Sequence, residues 1–298
     1  RAIGLGGLMS LAPLALVVAA ALIHASWNLL AKRAAAAGPA FVFAYNVVAT
    51  VAYLPWVLWL LATREQLWNW PIAFCFVASA IIHLGYSLCL QRGYQVADLS
   101  VVYPIARGTG PLFSSIGAFI LLGEPPTWLG VVGLVAVVAG IGCISTQGNL
   151  AAFRQPKGQE GVRWGLGTGS LIATYTVVDG YGVKGLGIHP VLLDWFSNFL
   201  RLFLLGPLML RNPAHMMKTM QGYWWLAIGV GLFSPLSYIL VLTAVDMGAP
   251  LSLVAPAREM SMMIGAIFGM LILREPVNVW RGAGCAIIIA GVVLLGMA

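Results

Sequence analysis

The sequence predicts an all-α integral membrane protein of ten transmembrane helices, arranged as two inverted five-helix repeats around a central cavity. Three observations support this fold class: the scarcity of charge, the spacing of the apolar runs, and an internal match between the halves of the chain. Only 8% of the residues are charged and 60% are hydrophobic, whereas a soluble domain carries about 25% charged residues. So few charges cannot cover a surface that faces water, and most of the surface is therefore expected to face lipid.

Ten apolar runs account for most of the chain, since a bilayer core about 30 Å thick needs roughly 20 apolar residues for each helix. Proline, glycine and charged residues separate these runs. The predicted spans are 8–30, 40–61, 71–90, 99–122, 127–145, 164–183, 191–210, 224–245, 250–273 and 279–297. We assign 1–148 to the first repeat, 149–163 to a cytoplasmic linker, and 164–298 to the second repeat.

The two halves resemble each other in sequence. Residues 97–104 match residues 249–256, which aligns Pro104 with Pro256. Because each half has an odd number of spans, the second half enters the membrane from the opposite face, which makes the repeat inverted. Exchange of conformations between such halves can open a shared central site to either face. We predict Pro104 and Pro256 as hinges, because proline frees a backbone carbonyl and permits a kink; a static bend is the alternative.

The distribution of basic residues predicts the orientation. The odd-numbered connections hold ten Lys and Arg residues, whereas the even-numbered connections and the N-terminus hold three. Cytoplasmic connections carry the excess of Lys and Arg, so we place both termini outside a bacterial inner membrane. The formal net charge of +7 then reflects topology, and binding of nucleic acid is not expected.

Two short motifs and the last span of each half carry a family resemblance. Gly-Glu-Pro at 123–125 follows the fourth span, and Arg-Glu-Pro at 274–276 follows the ninth. With the five-plus-five repeat, they resemble the drug/metabolite transporter superfamily, specifically its EamA-type members. Residues 133–140 and 284–291 are similar to the last helix of the small multidrug resistance proteins, which belong to the same superfamily.

Within the superfamily, the chain most resembles the YddG-type exporters of aromatic and other amino acids. The resemblance implies a central cavity lined by spans 1–4 and 6–9, with spans 5 and 10 at the periphery. One departure concerns coupling. The small multidrug resistance proteins couple to protons through a glutamate in their first helix, whereas the first span here has only His24 and Asn28 as comparable polar groups.

Charged residues inside the spans are the first candidates for a site, since each costs at least ~2.5 kcal/mol at a helix centre. Arg258 could hold a substrate carboxylate or serve in a gate, as could Arg107, and pairing of Arg258 with Glu259 or Asp246 is the structural alternative. Arg201 must face a cavity or another helix.

Asp179 could carry a proton or bind a substrate amine; an ion pair with Lys184 at the membrane surface is the alternative. Histidines could relay protons or line a wet cavity in the neutral form, and asparagines could bind a zwitterion or join helices. Deep aromatic side chains could surround an aromatic or large apolar substrate, with core packing as the alternative. The predicted substrate-binding set is His24, Asn28, Asn46, His83, Tyr86, Tyr103, Tyr175, Asp179, Trp195, Asn198, Arg201, Tyr238 and Arg258.

These residues favour a secondary transporter that exports amino acids, aromatic or large apolar ones first, or related small metabolites by alternating access. The alternatives are an exchanger of nucleotide sugars or phosphate esters, a pore, and an intramembrane enzyme. The sequence has no HExxH or GxSxG motif, so we predict no enzyme, no catalytic residues, no cofactor and no metal site. The expected partners are a small-molecule substrate and the lipid bilayer, with the protein a monomer or weak dimer.

Overall fold

The computed structural model describes residues 11–66, 68–96, 99–272 and 278–298, and within these ranges every regular element is helical. The Arg-Glu-Pro motif at 274–276 lies outside these ranges. The helices are α1 (Leu11–Arg33), α2 (Gly38–Thr63), α3 (Trp70–Val96), α4 (Leu99–Leu121), α5 (Trp128–Thr146), α6 (Pro156–Lys184), α7 (Pro190–Met209), α8 (Pro213–Thr219), α9 (Trp224–Asp246), α10 (Leu251–Arg258), α11 (Met260–Ile272) and α12 (Val279–Gly296).

Eight segments of the described chain are long and apolar enough to cross a membrane, and α10 with the first part of α11 forms one of them. Helices α4 and α6 are not in this set, because α4 carries Arg107 and several small polar residues, and α6 carries Asp179 together with many Gly, Ser and Thr residues. The all-helical membrane class is therefore confirmed, whereas ten spans and their inversion stay predictions. Helix α6 also begins inside the segment predicted as a linker.

Large apolar side chains remain exposed on the outside of the bundle, as expected for a surface that contacts lipid. Phe74 and Ile120 are each 74% exposed, and Trp225 is 83% exposed. Inside, α4 packs against α5, α6 and α10, while α6 also packs against α3. Helix α1 packs against α9 and α11, and α2 packs against α7 and α9. The charged side chains of Arg107 on α4 and Asp179 on α6 are thus buried against neighbouring helices.

The last helices of the two halves begin with the same kind of cap. Thr127 precedes α5, and its side chain accepts a hydrogen bond from the backbone N–H of Gly130 at 3.1 Å. Asn278 precedes α12 and accepts from the backbone N–H of Trp280 at 3.1 Å. Each cap satisfies a backbone donor that has no partner within the helix.

Glycines bring α5 and α12 into backbone contact. A Cβ atom on Gly133 would lie 2.8 Å from the carbonyl oxygen of Gly291, and one on Gly140 would lie 2.8 Å from that of Gly284. The reverse contacts are equally close. Gly133 lies near the start of α5 and Gly291 near the end of α12, so their contact means that the two helices run antiparallel. Small residues permit this approach, which a larger side chain would prevent.

The predicted ninth span is broken in the middle. Helix α10 ends at Arg258, Glu259 forms a turn, and α11 begins at Met260. The backbone N–H of Glu259 donates to the carbonyl of Pro256 at 3.0 Å, which is a tighter turn than that of an α-helix. The matched Pro104 lies inside α4, which nevertheless continues to Leu121. The two prolines at matched positions thus sit in different local structures.

Candidate functional site

Asp179 is at the centre of a polar cluster between α3, α6 and α9. Tyr238 donates a 2.6 Å hydrogen bond to its Oδ2 atom, and His83 Nε2 lies 3.1 Å from the same oxygen. The other carboxylate oxygen, Oδ1, is buried without a hydrogen-bond partner. Tyr175 stacks on His83 with ring centroids 3.9 Å apart, and Tyr86 meets Tyr175 edge-on at 5.7 Å. A carboxylate with one oxygen to spare therefore lies among aromatic rings.

The alternative expectation for Asp179, an ion pair with Lys184, is wrong. The Nζ atom of Lys184 lies 2.8 Å from Oε1 of Glu124 instead. The two residues are five positions apart on α6, and side chains at that spacing do not lie on the same face of a helix. Asp179 therefore faces the interior while Lys184 faces the α4–α5 connection.

A second cluster surrounds the break between α10 and α11. The Nη2 atom of Arg107 lies 2.8 Å from Oε2 of Glu259, and Nη2 of Arg258 lies 3.6 Å from Oε1 of the same carboxylate. Arg107 also lies 3.3 Å from both His24 Nε2 and Ser261 Oγ. Two guanidinium groups thus share one carboxylate, and each keeps an Nε atom without a hydrogen-bond partner. The predicted pairing of Arg258 with Glu259 exists, but Arg107 holds the closer contact.

The two clusters lie close enough to interact electrostatically. The Arg258 guanidinium interacts electrostatically with His83, Tyr175 and Tyr238 of the first cluster, and also with His24. The spare positive charge at Arg258 and the unpartnered oxygen of Asp179 therefore belong to one polar region. Buried charges without full pairing are costly, which favours a ligand that supplies the missing partners.

Helix α7 contributes a separate polar group. Asn198 donates to Oδ2 of Asp194 at 2.8 Å and accepts from Nη2 of Arg201 at 2.6 Å. The Nε atom of Arg201 donates to the backbone carbonyl of Ser197 at 3.3 Å. Arg201 is thus linked to Asp194 through Asn198, along its own helix, and Arg201 also acts electrostatically on His83.

Three predicted residues lie outside these clusters. Trp195 donates to the backbone carbonyl of Thr50 at 2.9 Å, at the contact between α2 and α7. Asn46 is fully buried on α2 and donates to its own helix, and Asn28 is half-buried one turn after His24. Tyr103, in contrast, is half-buried one turn before Arg107 and interacts electrostatically with Arg107 and Glu259. The structure therefore brings together His24, His83, Tyr86, Tyr103, Tyr175, Asp179, Tyr238 and Arg258.

Sequence reasoning assigned no role to Glu124, although it lies in the Gly-Glu-Pro motif. Its Oε1 atom accepts from Lys184 at 2.8 Å and from the backbone N–H of Leu251 at 2.7 Å, and its Oε2 atom accepts from the N–H of Ser252 at 2.8 Å. Leu251 and Ser252 begin α10, where the helix dipole favours a negative charge. We call Glu124, Lys184 and these two backbone groups the Glu124 latch.

Burial and hydrogen bonding act in opposite directions on the pKa of Glu124. Burial raises the pKa, but hydrogen bonds from Lys184, from Ser252 and from the backbone of Leu251 outweigh it and hold the pKa below its usual value. The carboxylate form is therefore the one that the latch stabilises.

A cavity lies at the opposite end of α6 from the latch. Its volume is about 600 Å³, and its lining includes Cys89, Gln159, Glu160, Arg163, Trp164 and Gly167. Because Lys184 ends α6 and residues 156–167 begin it, the latch and the cavity lie at opposite faces of the bundle. In this structure the Glu124 latch therefore joins helices at one face of the bundle, and the cavity opens at the other face.

Most of the chain is similar in sequence to a known protein family. Residues 11–146 and 159–297 each match the EamA-like transporter family. The chain is also similar to the multidrug resistance protein EbrB of Bacillus subtilis (strain 168), with 38% identity over 74 residues. The aligned residues make up 24% of this chain and 58% of EbrB. A solved structure described only as the crystal structure of a protein shares the fold, with a TM-score of 0.71 at 14% identity over 95% of this chain and 97% of the other.

Proposed function

This chain belongs to the EamA-like transporter family, and from that membership we propose that it is a secondary transporter that exports amino acids, preferably aromatic or large apolar ones, by alternating access. The broader statement, a multi-pass membrane transporter of small molecules, follows from the family. The choice of substrate and the mechanism are our proposals.

The observation that carries the substrate proposal is the separation of charge around the buried site. With His83 neutral, the charges of Arg107, Arg258, Glu259 and Asp179 sum to zero, but the positive charge is in excess at Arg258 and the negative charge at Asp179. A zwitterion fits such a site, because its carboxylate supplies a partner for Arg258 and its ammonium group supplies one for Asp179.

The aromatic side chains favour a substrate with an aromatic or large apolar group. Tyr175 meets both Tyr86 and Tyr238 edge-on, and Tyr238 also meets the ring of His83 edge-on. Such rings present apolar faces together with polar tips, which suits an aromatic ring between them. A phosphate ester would bring two negative charges to a site with one guanidinium to spare, so an exchanger of nucleotide sugars is the weaker candidate.

Several features support the inverted repeat and the ten spans. Helices α5 and α12 hold matched positions in the two halves, and they run antiparallel, as inversion requires. Helix α4 has 23 residues and α6 has 29, and 23 residues extend about 34 Å, enough to cross a bilayer core of about 30 Å. The latch at one face and the cavity at the other suit a carrier that opens to one side at a time.

Transport into proteoliposomes tests this function. We expect saturable counter-exchange of phenylalanine, tyrosine, tryptophan, leucine and methionine, with little uptake of lysine, glutamate or a nucleotide sugar. Arg258→Ala should lower uptake at least tenfold, since it removes the carboxylate partner. Exposed Arg154 provides the matched control, and Arg154→Ala should leave uptake unchanged. Flux that does not saturate would indicate a pore, and preference for nucleotide sugars would refute the amino-acid proposal.

A further inference from the structure

Two arginines occupy matched positions in the two halves of the chain. The sequence match that ends at the matched prolines and the match between the glycines of α5 and α12 differ in offset by one residue. Loss of one residue from the second half just after the proline accounts for the difference and pairs Arg107 with Arg258. At the next position, Gly108 is paired with Glu259. The repeat thus places an arginine in both halves at this point but a carboxylate in the second half alone.

Both arginines contact that carboxylate. Arg107 Nη2 lies 2.8 Å from Oε2 of Glu259, and Arg258 Nη2 lies 3.6 Å from Oε1. All three side chains are less than one-tenth exposed. Among the described residues, the Nε atom of each arginine has no hydrogen-bond partner, and neither has Oε2 of Glu259 despite its short contact with Arg107. Glu259 therefore neutralises one of two buried cations and leaves donors on both of them unused.

The break between α10 and α11 favours this arrangement of charges. Arg258 is the last residue of α10, and Glu259 immediately precedes α11. A cation is stabilised at a helix C-terminus and an anion at a helix N-terminus, so both residues occupy favourable ends. Gly108, the match of Glu259, lies inside the continuous helix α4 and contributes no side chain. The carboxylate is therefore an addition to one half, and the repeat does not require it.

Arg107 borders the aromatic part of the proposed substrate site. Its guanidinium group interacts electrostatically with Tyr86 and Tyr175, and the guanidinium group of Arg258 interacts with Tyr175 and Tyr238. The two cations thus act on one group of tyrosines. A substrate whose α-carboxylate binds Arg258, with its side chain among these rings, would bring that side chain within electrostatic range of Arg107.

We propose that Glu259 is a specificity-determining residue: its carboxylate occupies the position against Arg107 that the side-chain carboxylate of an acidic substrate would take, and thereby restricts transport to amino acids with uncharged side chains. This inference rests on the proposed function, in which Arg258 binds the α-carboxylate. An acidic side chain would meet the negative charge of Glu259 and find Arg107 already paired. A like charge placed against the wrong substrate is a common source of specificity.

The charge balance of the two clusters leads to the same conclusion. With the histidines neutral, the charges of Arg107, Arg258, Glu259 and Asp179 cancel, and a zwitterion leaves that balance unchanged. Without Glu259, the same region would carry an excess positive charge, which an acidic amino acid would neutralise. Because unpaired charges in the interior are costly, the preferred substrate charge should follow the charge at position 259.

The wild-type protein tests the exclusion of acidic side chains without any substitution. Glutamate and its γ-methyl ester differ mainly in the charge of the side chain. Each would compete with a labelled neutral amino acid for uptake into proteoliposomes. We expect the ester to compete roughly tenfold more strongly, since it brings no like charge to Glu259. Equal competition by the two compounds would overturn the proposal.

Removal of the carboxylate tests the change of specificity. Glu259→Ala should raise uptake of labelled glutamate roughly tenfold above the wild type, because Arg107 becomes free to bind a second carboxylate. Addition of Arg107→Ala to this variant should abolish the gain. Asp194→Ala is the matched control, since it removes another buried carboxylate, which accepts from Asn198 on α7, and it should gain no glutamate uptake.

The contrary results of this experiment are equally specific. A folded Glu259→Ala variant that loses uptake of every amino acid and gains none of glutamate would show that Glu259 is only a structural partner of the arginines. A gain of the same size in Asp194→Ala would show that any added positive charge suffices. Either result would overturn the proposal. If Glu259→Ala does not fold, the competition experiment with the wild-type protein decides the question.

Formate tests the carboxylate position independently of transport. This small carboxylate can enter the space that Glu259→Ala vacates and contact both guanidinium groups. Sodium formate should therefore raise the melting temperature of the variant in detergent more than an equal concentration of sodium chloride. The wild-type protein should not distinguish the two salts. Equal responses of the variant and the wild type would overturn the proposal.

The outcomes separate this inference from the proposed function. If the wild-type protein exchanges no amino acid but formate selectively stabilises Glu259→Ala, the amino-acid function fails, while the carboxylate position against Arg107 stands. If neutral amino acids are exchanged but glutamate and its ester compete equally, the specificity role of Glu259 fails and the transport function stands.

Discussion

Replacement of Glu124 by glutamine should loosen the face of the protein that the latch closes. The carboxylate accepts from Lys184, from Leu251 N–H and from Ser252 N–H. Glutamine keeps one acceptor oxygen, and its amide NH₂ group would face a donor where the second oxygen was. The substitution therefore removes the ion pair and at least one hydrogen bond to a helix N-terminus.

The size of the effect follows from these contacts. A hydrogen bond to a charged group contributes roughly 1.5–3 kcal/mol. The ion pair adds only about 1 kcal/mol, because the Lys184 side chain is 28% exposed and solvent screens the interaction. The combined loss of roughly 3 kcal/mol corresponds to about a hundredfold change in the equilibrium between closed and open latch.

Labelling of a buried position at this face provides the assay. Ala249 precedes α10 and is 5% exposed. In a background with the four native cysteines replaced by alanine, Ala249→Cys should react slowly with a membrane-impermeant maleimide. Addition of Glu124→Gln should speed the reaction at least tenfold, while Glu65→Gln, at an exposed position, should not. An unchanged labelling rate with Glu124→Gln would refute the role of the latch.

The same assay has a predicted pH dependence. Because the pKa of Glu124 is lower in the folded protein than its usual value of 4.5, the latch contributes its full stability above pH 4.5. That stability is lost as the pH falls through the lowered pKa. Labelling of Ala249→Cys should therefore stay slow at neutral pH and accelerate only in acid below pH 4.5.

Three further predictions concern the site, the helix contact and the topology. Asp179→Asn should weaken the apparent affinity for amino acids roughly tenfold, since it removes the partner of the ammonium group, whereas Asp246→Asn at an exposed position should not; equal kinetics in both variants would exclude Asp179 from the site. Gly140→Ala should destabilise the protein by about 1–3 kcal/mol through overpacking, because the new Cβ would lie 2.6 Å from a side-chain atom of α12. Gly142→Ala is the control, because its Cβ would meet nothing within 4 Å. Thermal unfolding of both variants in detergent would measure the difference. Tags at the N-terminus and in residues 149–155 should be reached from opposite faces of the membrane, and access from the same face would contradict the inverted repeat.

Composition and the repeat predicted the features that depend on pattern. The lack of charge indicated a lipid-facing surface, and Phe74 and Trp225 are exposed as that requires. The matched glycines at 133, 140, 284 and 291 identified the last helix of each half, and these helices contact each other through them. Such features can be read from sequence because residue type and periodicity determine them.

The individual contacts in the site could not be predicted in the same way. The partner of Asp179 depends on how α3 and α9 pack against α6, and the partner of Lys184 comes from a connection sixty positions away in the chain. Trp195 has the depth expected of a cavity residue but hydrogen-bonds to α2. These outcomes depend on helix rotation within the bundle, which hydropathy does not determine when helices are apolar on every side.

The symmetry of the α5–α12 contact has a consequence for how the protein is assembled. Because the contact glycines of α5 and α12 occupy matched positions, we expect each half to present a surface on which a second copy of that half could dock in the antiparallel sense. The covalent join between the halves is then not required for the geometry of docking. The single polypeptide does fix the ratio of the two halves, because every first half with Arg107 is joined to one second half with Asp179. Residues that differ between the halves can therefore take different roles.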